Sequence, residues 1–448
     1  ILCEFGVVAQ SLTKLLESRT SDLYSKYGMK PRIVGVFDSK GSAYDNSGLN
    51  LKKIISVKKE SGSVRGYDKS QKIISGLEMI EKLDADVLIE TTASNYNDAE
   101  PGMSHIISAM KKGLHVISVN KGPLALAFPS LMELATYNQV LLRFSGTVGG
   151  GTPILDYAKN SLRGERIISF QGILNGTTNY ILTKMKEDNL NFDQVLSIAK
   201  EKGYTSDSES HLDIDGIDSA HKLTILSSLC FGSKLNFNNN EITGISKLKI
   251  DDIFYAEKLG YNIKLISEAY VMDNKIYSVT SPKLLDKNSP MANVNGVLNA
   301  INIKTNHHKN IFVEGEGAGG TATASSIISD LYEIVSNSKI SSLGYKSKAL
   351  IDLEKFHTNS ISSSYYLRIM TKDIPGVLSN ITSLFKDLEI SIKKILQLPE
   401  NNQSNSPIPI IITTHNVKKN QLIEAINKIE LFDFVLEKIS IISIDNDD

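Results

Sequence analysis

The sequence predicts an α/β protein in three parts: a parallel sheet with crossover helices, a mixed α+β middle, and a compact strand–helix unit at the end. Three observations predict it. Short β-branched runs alternate with amphipathic stretches over the first 150 residues. A glycine-rich segment, Phe144 to Pro153, closes that region. From Tyr365 onward the pattern runs strand, helix, strand, strand, helix, strand, which is the ferredoxin-like arrangement.

The first strand is expected at Ile1–Gln10, where it turns into a long helix from Ser11 to about Tyr27. Arg32–Phe37 is a second strand ending at Asp38. Asp86–Glu90, His115–Val119 and Val140–Phe144 follow, separated by helical stretches such as Ser104–Lys112 and Ser130–Tyr137. Such alternation implies a Rossmann-type unit over 1–150. Residues 151–340 form the second unit, and the helix from Thr321 to about Ser336 is expected to pack back on the first. Residues 341–364, rich in Ser and Lys, read as a linker. The last unit, 365–448, starts with the strand Tyr366–Met370 and a helix from Asp373 to about Leu388. Strands Ser391–Gln397 and Ile408–Thr413 come next, split by the polar loop Pro399–Ser406. A helix Lys419–Ile429 and a strand Ile439–Ile444 complete it.

Composition removes several function classes. A formal net charge of −1 gives no electrostatic case for nucleic acid or an anionic membrane. The only cysteines, Cys3 and Cys230, argue against a disulfide framework and suit a cytoplasmic protein. No signal peptide and no bilayer-length apolar run is evident. The chain starts at Ile1 rather than Met, so a few residues are expected to precede it.

A dinucleotide fingerprint at the first strand–helix turn would read G-x-G-x-x-G/A. The segment here reads Glu4-x-Gly6-x-x-Ala9. Gly6 lets backbone approach a pyrophosphate, with Phe5, Val7 and Val8 beside it, and Ala9 is an accepted third position. Glu4 brings a side chain and a negative charge to the tight turn. Like charges a few ångströms apart and partly in water repel by on the order of 1–4 kcal/mol. Asp38 ends the next strand as a ribose-binding acid should, while Lys40 and Lys58 or Lys59 are candidates for a 2′-phosphate. NAD and NADP both stay open.

Two lysines carry the chemistry. Lys121 lies in Asn120-Lys121-Gly122-Pro123, directly after a strand. Lys222 lies four residues after Asp218, on the same helical face. Most such pairs are surface ion pairs worth about 0.3–0.5 kcal/mol. Several acids precede this pair, however: Asp207, Glu209, Asp213 and Asp215. A dense acidic set facing a lysine suits a substrate with an ammonium group, and a lysine in a closed site can move a proton to or from a substrate oxygen.

With these residues in view, the chain resembles the homoserine dehydrogenase family over nearly its whole length. The resemblance is carried by Glu90-Thr91-Thr92, Glu100 to His105, Asn120 to Pro123, Thr147 to Pro153, Gly172 to Tyr180, Asp213 to Lys222, and Gly315 to Gly319. It implies reversible reduction of L-aspartate 4-semialdehyde to L-homoserine with NADPH or NADH. Lys222 would be the proton donor, Lys121 would touch nicotinamide and substrate, and Asp218 and Asp213 would orient the lysine and hold substrate. Asp207 is the first candidate for a further substrate-binding acid and Glu209 the second; Gly176 and Thr177 would join them. Thr91, Thr92, Gly317 and Gly319 would meet the cofactor. Backbone oxygens around Ser145, Val148, Gly150 and Thr152 would hold Na⁺ or K⁺, since oxygen ligands suit a hard cation. The C-terminal unit resembles an ACT domain, notably at Asp373 to Leu378, which implies an amino-acid effector, threonine, and a homodimer or larger assembly. The competing reading is an amino-acid-binding regulatory protein on the same fold, with cofactor binding impaired by Glu4.

Overall fold

The computed structural model describes residues 1–68, 72–336, 343, 350–356, 361–398 and 407–445. Its first sheet has six strands in the spatial order Gly41–Tyr44, Gly35–Asp38, Leu2–Cys3, Val87–Glu90, His115–Ser118, Leu142–Arg143. All neighbours run parallel except the Gly41–Tyr44 edge, which folds back as a hairpin on Gly35–Asp38. Strand order reverses beside Leu2–Cys3, so Glu4 and Thr91 emerge at the crevice where α/β sheets take ligands.

Helix Val7–Tyr27 buries Ala9, Leu12, Thr13, Leu16 and Leu23, a spacing that makes one apolar stripe. Gly28, at φ 65°, ends it in the left-handed conformation. The stripe packs with Ala324, Ile327, Ile328, Leu331 and Ile334 of helix Gly320–Ser336 in one core. Close approach requires glycine at 320, where a Cβ would stand 2.8 Å from Val7 Cγ1.

The second sheet is continuous across the middle and C-terminal parts of the chain. Its order is Ile311–Glu316, Leu298–Thr305, Ile167–Ile173, Tyr261–Met272, Lys275–Asp286, Ser440–Ile444, Ser362–Lys372, Pro407–Thr414, Ile392–Leu396. The last four of these strands have the antiparallel 4-1-3-2 order of a ferredoxin-like unit, completed by helices Val377–Asp387 and Lys419–Ile429. Lys283 and Leu284 pair with Ser443 and Ile444 in parallel, joining that unit to the sheet before it. Tyr180, Ile181, Leu284, Tyr366, Ile411 and Ile442 accordingly share one apolar cluster.

Several expected bounds shift. The strand expected at Val140–Phe144 is Leu142–Arg143, and the helix expected at Ser130–Tyr137 starts at Lys121, with a kink at Ala127 ahead of Pro129. Within the expected linker, Glu354–Lys355 pairs with Lys275–Ile276 and Ile351 bridges Ser233, so these parts are held to the body. The expected loop Pro399–Ser406 lies outside the described residues. Among the described residues no helix is long and apolar enough to cross a membrane.

Candidate active site

Helix Ile217–Phe231 starts after Gly216, whose φ of 81° lets the chain leave the short helix Ser210–Ile214 and turn at once into the next. The turn buries Asp218 and Lys222 on the face toward strand Ile167–Ile173 and the first domain-like unit. Asp218 is the hub. Its Oδ2 lies 2.8 Å from Lys222 Nζ and accepts from Asn175 Nδ2 at 3.0 Å. Its Oδ1 lies 3.4 Å from Lys121 Nζ and accepts from Tyr96 Oη at 3.3 Å. Burial disfavours the Asp218 charge, but Lys222 and then Lys121 outweigh it and hold the carboxyl well below its usual range. Burial likewise opposes the Lys121 charge, and Asp218 more than offsets it, so this ammonium sits above the ordinary lysine range. Lys222 also donates to Leu174 O at 2.7 Å.

Asn175 does two things. Its Oδ1 accepts from Thr178 N and caps helix Gly176–Asp188, while its Nδ2 donates to Asp213 Oδ1 at 2.6 Å and to Asp218. Asp213 Oδ2 accepts from Thr205 Oγ1 at 2.8 Å. Burial and then the Asp218 charge raise the Asp213 carboxyl above its usual range. Gly176 stands against Val297 O, 2.6 Å from where a Cβ would be, and Thr177 Oγ1 donates to Tyr204 O. Both residues open the helix that Asn175 caps, with Thr177 tied to the chain at Tyr204.

Asp207 is not brought into this cluster. Its side chain is 94% exposed and pairs with Lys200 at 2.7 Å. Glu209, also exposed, accepts from Ser206 Oγ at 3.4 Å. The turn at 206–209 is folded on itself, which turns both acids to solvent. The acid held at the lysines, besides Asp218, is Asp213.

At the nucleotide end, the turn expected to need glycine adopts a left-handed conformation at Glu4, φ 66°. Burial and then Asp38 raise the Glu4 carboxyl. Gly6 begins the long helix with no side-chain cap, which leaves the first-turn amides at Val7 and Val8 for a ligand. A Cβ on Gly6 would meet nothing nearer than 3.9 Å, so the backbone is approachable. Phe5 is fully buried, and its amide donates to Phe37 O, which takes it out of direct ligand contact. Asp38 differs from the expected free ribose acceptor. Its carboxylate accepts from Lys40 N, Gly41 N, Ser63 Oγ, Val64 N and Lys58 Nζ, because the strand turns straight back into a hairpin around it. Lys58, at 2.7 Å, is thereby committed to Asp38, and Lys40 meets it only through backbone. Thr91 Oγ1 bonds Cys3 O and Glu4 O, bracing the turn from the neighbouring strand. Thr92 bonds Glu90 and accepts from Asn120 Nδ2, the residue that caps the helix beginning at Lys121. Gly317 packs on Asn299 too closely for any side chain, and Gly319, at φ 128°, leads into helix Gly320–Ser336.

The glycine loop turns tightly through Gly149 and Gly150, at φ 85° and 56°. Gly150 O accepts from Ser326 Oγ at 2.7 Å and Thr152 O from Ile154 N at 2.7 Å, each keeping a second lone pair that suits a hard cation. Val148 is fully buried beneath the turn. Ser145 Oγ lies 2.7 Å from Asp330 Oδ1 and 2.8 Å from Asp156 Oδ1. One hydroxyl proton serves only one of these carboxylates, so the second contact needs a proton of its own. Burial and then Asp156 push the Asp330 carboxyl up to about 7. A carboxyl raised on folding contributes stability that is full below its unfolded value, near 4, and lost as pH rises through about 7. Asp330→Asn should therefore gain on the parent as pH rises, by on the order of 3 kcal/mol between pH 5 and 8.5. Thermal unfolding of both proteins across that range checks it, and a gap that stays constant with pH would rule it out.

Comparison with known proteins identifies the family. The homoserine dehydrogenase family model matches residues 153–332, and an AHAS small subunit-like ACT domain matches 367–431. Residues 19–101 match the Glutamate/Leucine/Phenylalanine/Valine dehydrogenase model. A homoserine dehydrogenase of Methanocaldococcus jannaschii is 38% identical over 76% of this chain and 99% of its own length. An NAD(+)-dependent homoserine dehydrogenase of Pseudomonas canavaninivorans is 33% identical, covering 74% of this chain and 95% of its own. The crystal structure of a homoserine dehydrogenase from Thiobacillus denitrificans superposes with a TM-score of 0.86 at 29% identity, covering 100% of this chain and 98% of that one. A lysine–carboxylate–lysine site beneath a Rossmann crevice, a ferredoxin-like unit on the second sheet, and relatives of this similarity over most of its length place the chain in the homoserine dehydrogenase family.

Proposed function

We propose that the chain catalyses the reversible reduction of L-aspartate 4-semialdehyde to L-homoserine with Lys222 as the proton carrier. The observation that carries this reading is Asp218 held between Lys222 and Lys121. NADPH or NADH, when bound, supplies the hydride. Lys222 Nζ gives a proton to the carbonyl oxygen as the alkoxide forms and takes it back in oxidation. Asp218 fixes that ammonium in place, and Lys121 adds positive charge where the oxygen becomes negative. Asp213, aligned by Asn175 and Thr205, takes the substrate's ammonium end. Val7 and Val8 amides with Gly6 hold the pyrophosphate, and Gly317 and Gly319 close on the nicotinamide end. Ser145, Val148, Gly150 and Thr152 carbonyls hold a monovalent cation that steadies the loop.

The C-terminal unit takes threonine as effector, and a second copy covers the open face of the long sheet. A concavity of about 1170 Å³ there is lined by Ile168, Phe170, Tyr270, Tyr277 and Phe312, with Ile168 and Phe312 exposed, which supports that reading.

Oxidation of NADPH and of NADH by the purified protein with L-aspartate 4-semialdehyde, with and without threonine, tests these assignments together. Substrate-dependent oxidation inhibited by threonine is expected. Folded protein that oxidises neither cofactor would favour the amino-acid-sensing reading instead.

Glu4 gives a separate prediction. Its left-handed backbone bears on stability alone, whereas its charge opposes a pyrophosphate by about 1 kcal/mol or more. Glu4→Gly should tighten NAD(P)H binding about three- to tenfold in a fluorescence titration. Unchanged affinity would mean that the carboxylate swings clear of the phosphates.

A further inference from the structure

Asp218 Oδ1 has two partners from the first unit, and only one of them is a lysine. Tyr96 reaches it from the loop after strand Val87–Glu90. That loop is fixed to the start of the Lys121 helix. Ser94 Oγ accepts from Lys121 N at 3.1 Å, and Asn95 O stands 2.6 Å from where a Cβ on Gly122 would be. Within the loop, Asn97 N bonds Asn95 Oδ1 and Glu100 N bonds Asp98 Oδ1. Tyr96 and Lys121 therefore meet Asp218 as one body. The Tyr96 ring also stands edge-on to His221 at 4.5 Å, and His221 stacks on Phe237 at 3.8 Å. Burial and then the Asp218 charge push the phenol up, so it stays protonated and serves as a donor.

We propose that Tyr96 is a positioning residue for the reaction: its hydroxyl holds Asp218 Oδ1 so that Lys121 can leave that oxygen for the substrate. This rests on the proton-carrier reading above. A buried carboxylate oxygen that loses its ammonium needs another donor or pays the desolvation penalty. Lys121 at 3.4 Å and Tyr96 at 3.3 Å share Oδ1, so when the ammonium turns to the substrate the phenol remains. Without the phenol, the Asp218 charge is less dispersed and grips the neighbouring ammonium groups harder.

The test compares the full-length parent with Tyr96→Phe and Tyr96→Leu. Phe keeps the ring against His221 and removes only the hydroxyl. Steady-state rates are measured in both directions from pH 6 to 10, with NADPH affinity by fluorescence and melting temperature alongside. For Tyr96→Phe, kcat/KM for the semialdehyde should fall about tenfold with cofactor affinity unchanged. The acid limb of homoserine oxidation should move to higher pH, because a less dispersed carboxylate holds the proton on the lysine longer. The position of that limb reports the lysine in the folded molecules, whereas partial unfolding scales only the amplitude, so the limb stays readable. A wild-type kcat/KM and pH profile in Tyr96→Phe overturns the proposal, as does a loss confined to Tyr96→Leu, which would assign the effect to the ring. Lys222→Ala run in parallel separates the two levels. If it keeps near-normal turnover, the proton-carrier reading fails by itself, whatever Tyr96→Phe does.

Discussion

Lys222→Ala should lower turnover about a thousandfold and leave the dissociation constant for NAD(P)H unchanged. General acid–base catalysis by a positioned side chain contributes about 10²–10⁴ in rate, and the geometry puts Lys222 at the strong end of that range. Its Nζ is buried, with two N–H groups given to Asp218 Oδ2 and Leu174 O. Among the described residues the remaining N–H has no partner, and an ammonium with two fixed bonds has little freedom in where the third points. The substitution also leaves Asp218 with Lys121, Asn175 and Tyr96, so the carboxylate stays compensated and the fold should hold. Lys222→Arg should fail almost as badly, because a planar fork cannot reproduce the tetrahedral bonds to Asp218 Oδ2 and Leu174 O. Stopped-flow hydride transfer and a cofactor titration on the same protein read both halves. Turnover within tenfold of the parent would move the proton donor to another group.

What could be read from the sequence follows from how local each signal is. Asp218 and Lys222 are four apart on one helix, so their pairing is visible in spacing, and the structure places them 2.8 Å apart. Lys121 joins them from 97 residues earlier through a motif after a strand, and the five parallel strands of the first sheet are legible from the alternation of strand and helix patterns. Tyr96 is the opposite case. Its partner lies 122 residues away, and nothing in Asn95-Tyr96-Asn97 marks a tyrosine that faces a carboxylate. Thr205 and Asn175 are hidden in the same way: their side chains reach Asp213 from a loop and from a helix N-cap, which only the fold brings together. Asp38 looked like a ribose acceptor because it ends a strand, but the hairpin to Gly41 turns its carboxylate inward, and a hairpin edge on a parallel sheet leaves no trace in periodicity. Asp207 and Glu209 are acids in the right stretch of chain, but the turn at 206–209 closes on itself and leaves Asp207 to Lys200 and Glu209 to Ser206, a local fold that composition does not show. The joining of two sheets at Lys283–Ser443 was equally invisible, since alternation shows that a strand exists and not which strand it pairs with.

Arg368→Ala should destabilise the protein by about 3–5 kcal/mol and loosen the C-terminal unit from the rest. Arg368 is on strand Ser362–Lys372, and its side chain is 2% exposed. Its Nε meets Asp252 Oδ1 at 2.8 Å, its Nη2 meets Oδ2 at 3.3 Å, and its Nη1 meets Glu437 Oε1 at 2.7 Å. Asp252 is fully buried on helix Ile250–Lys258, where it also accepts from Lys249 N and Tyr366 Oη. Removing the guanidinium strands that carboxylate, with only a backbone amide and a phenol left to it. Urea unfolding should show the loss, and hydrogen exchange should rise across 250–258 and 362–372. Replacing both partners with leucine should restore most of the stability, because two apolar groups of similar bulk leave no charge buried. A loss under 1 kcal/mol in Arg368→Ala would mean that the parallel pairing at Lys283–Ser443 and the shared apolar cluster hold the unit alone. The alternatives differ in function as well as stability. If threonine acts through this unit, a change in its sheet reaches helix Ile250–Lys258 through Arg368. Arg368→Ala should then keep basal turnover and lose most of its threonine response, whereas a sheet-only route would leave the response intact.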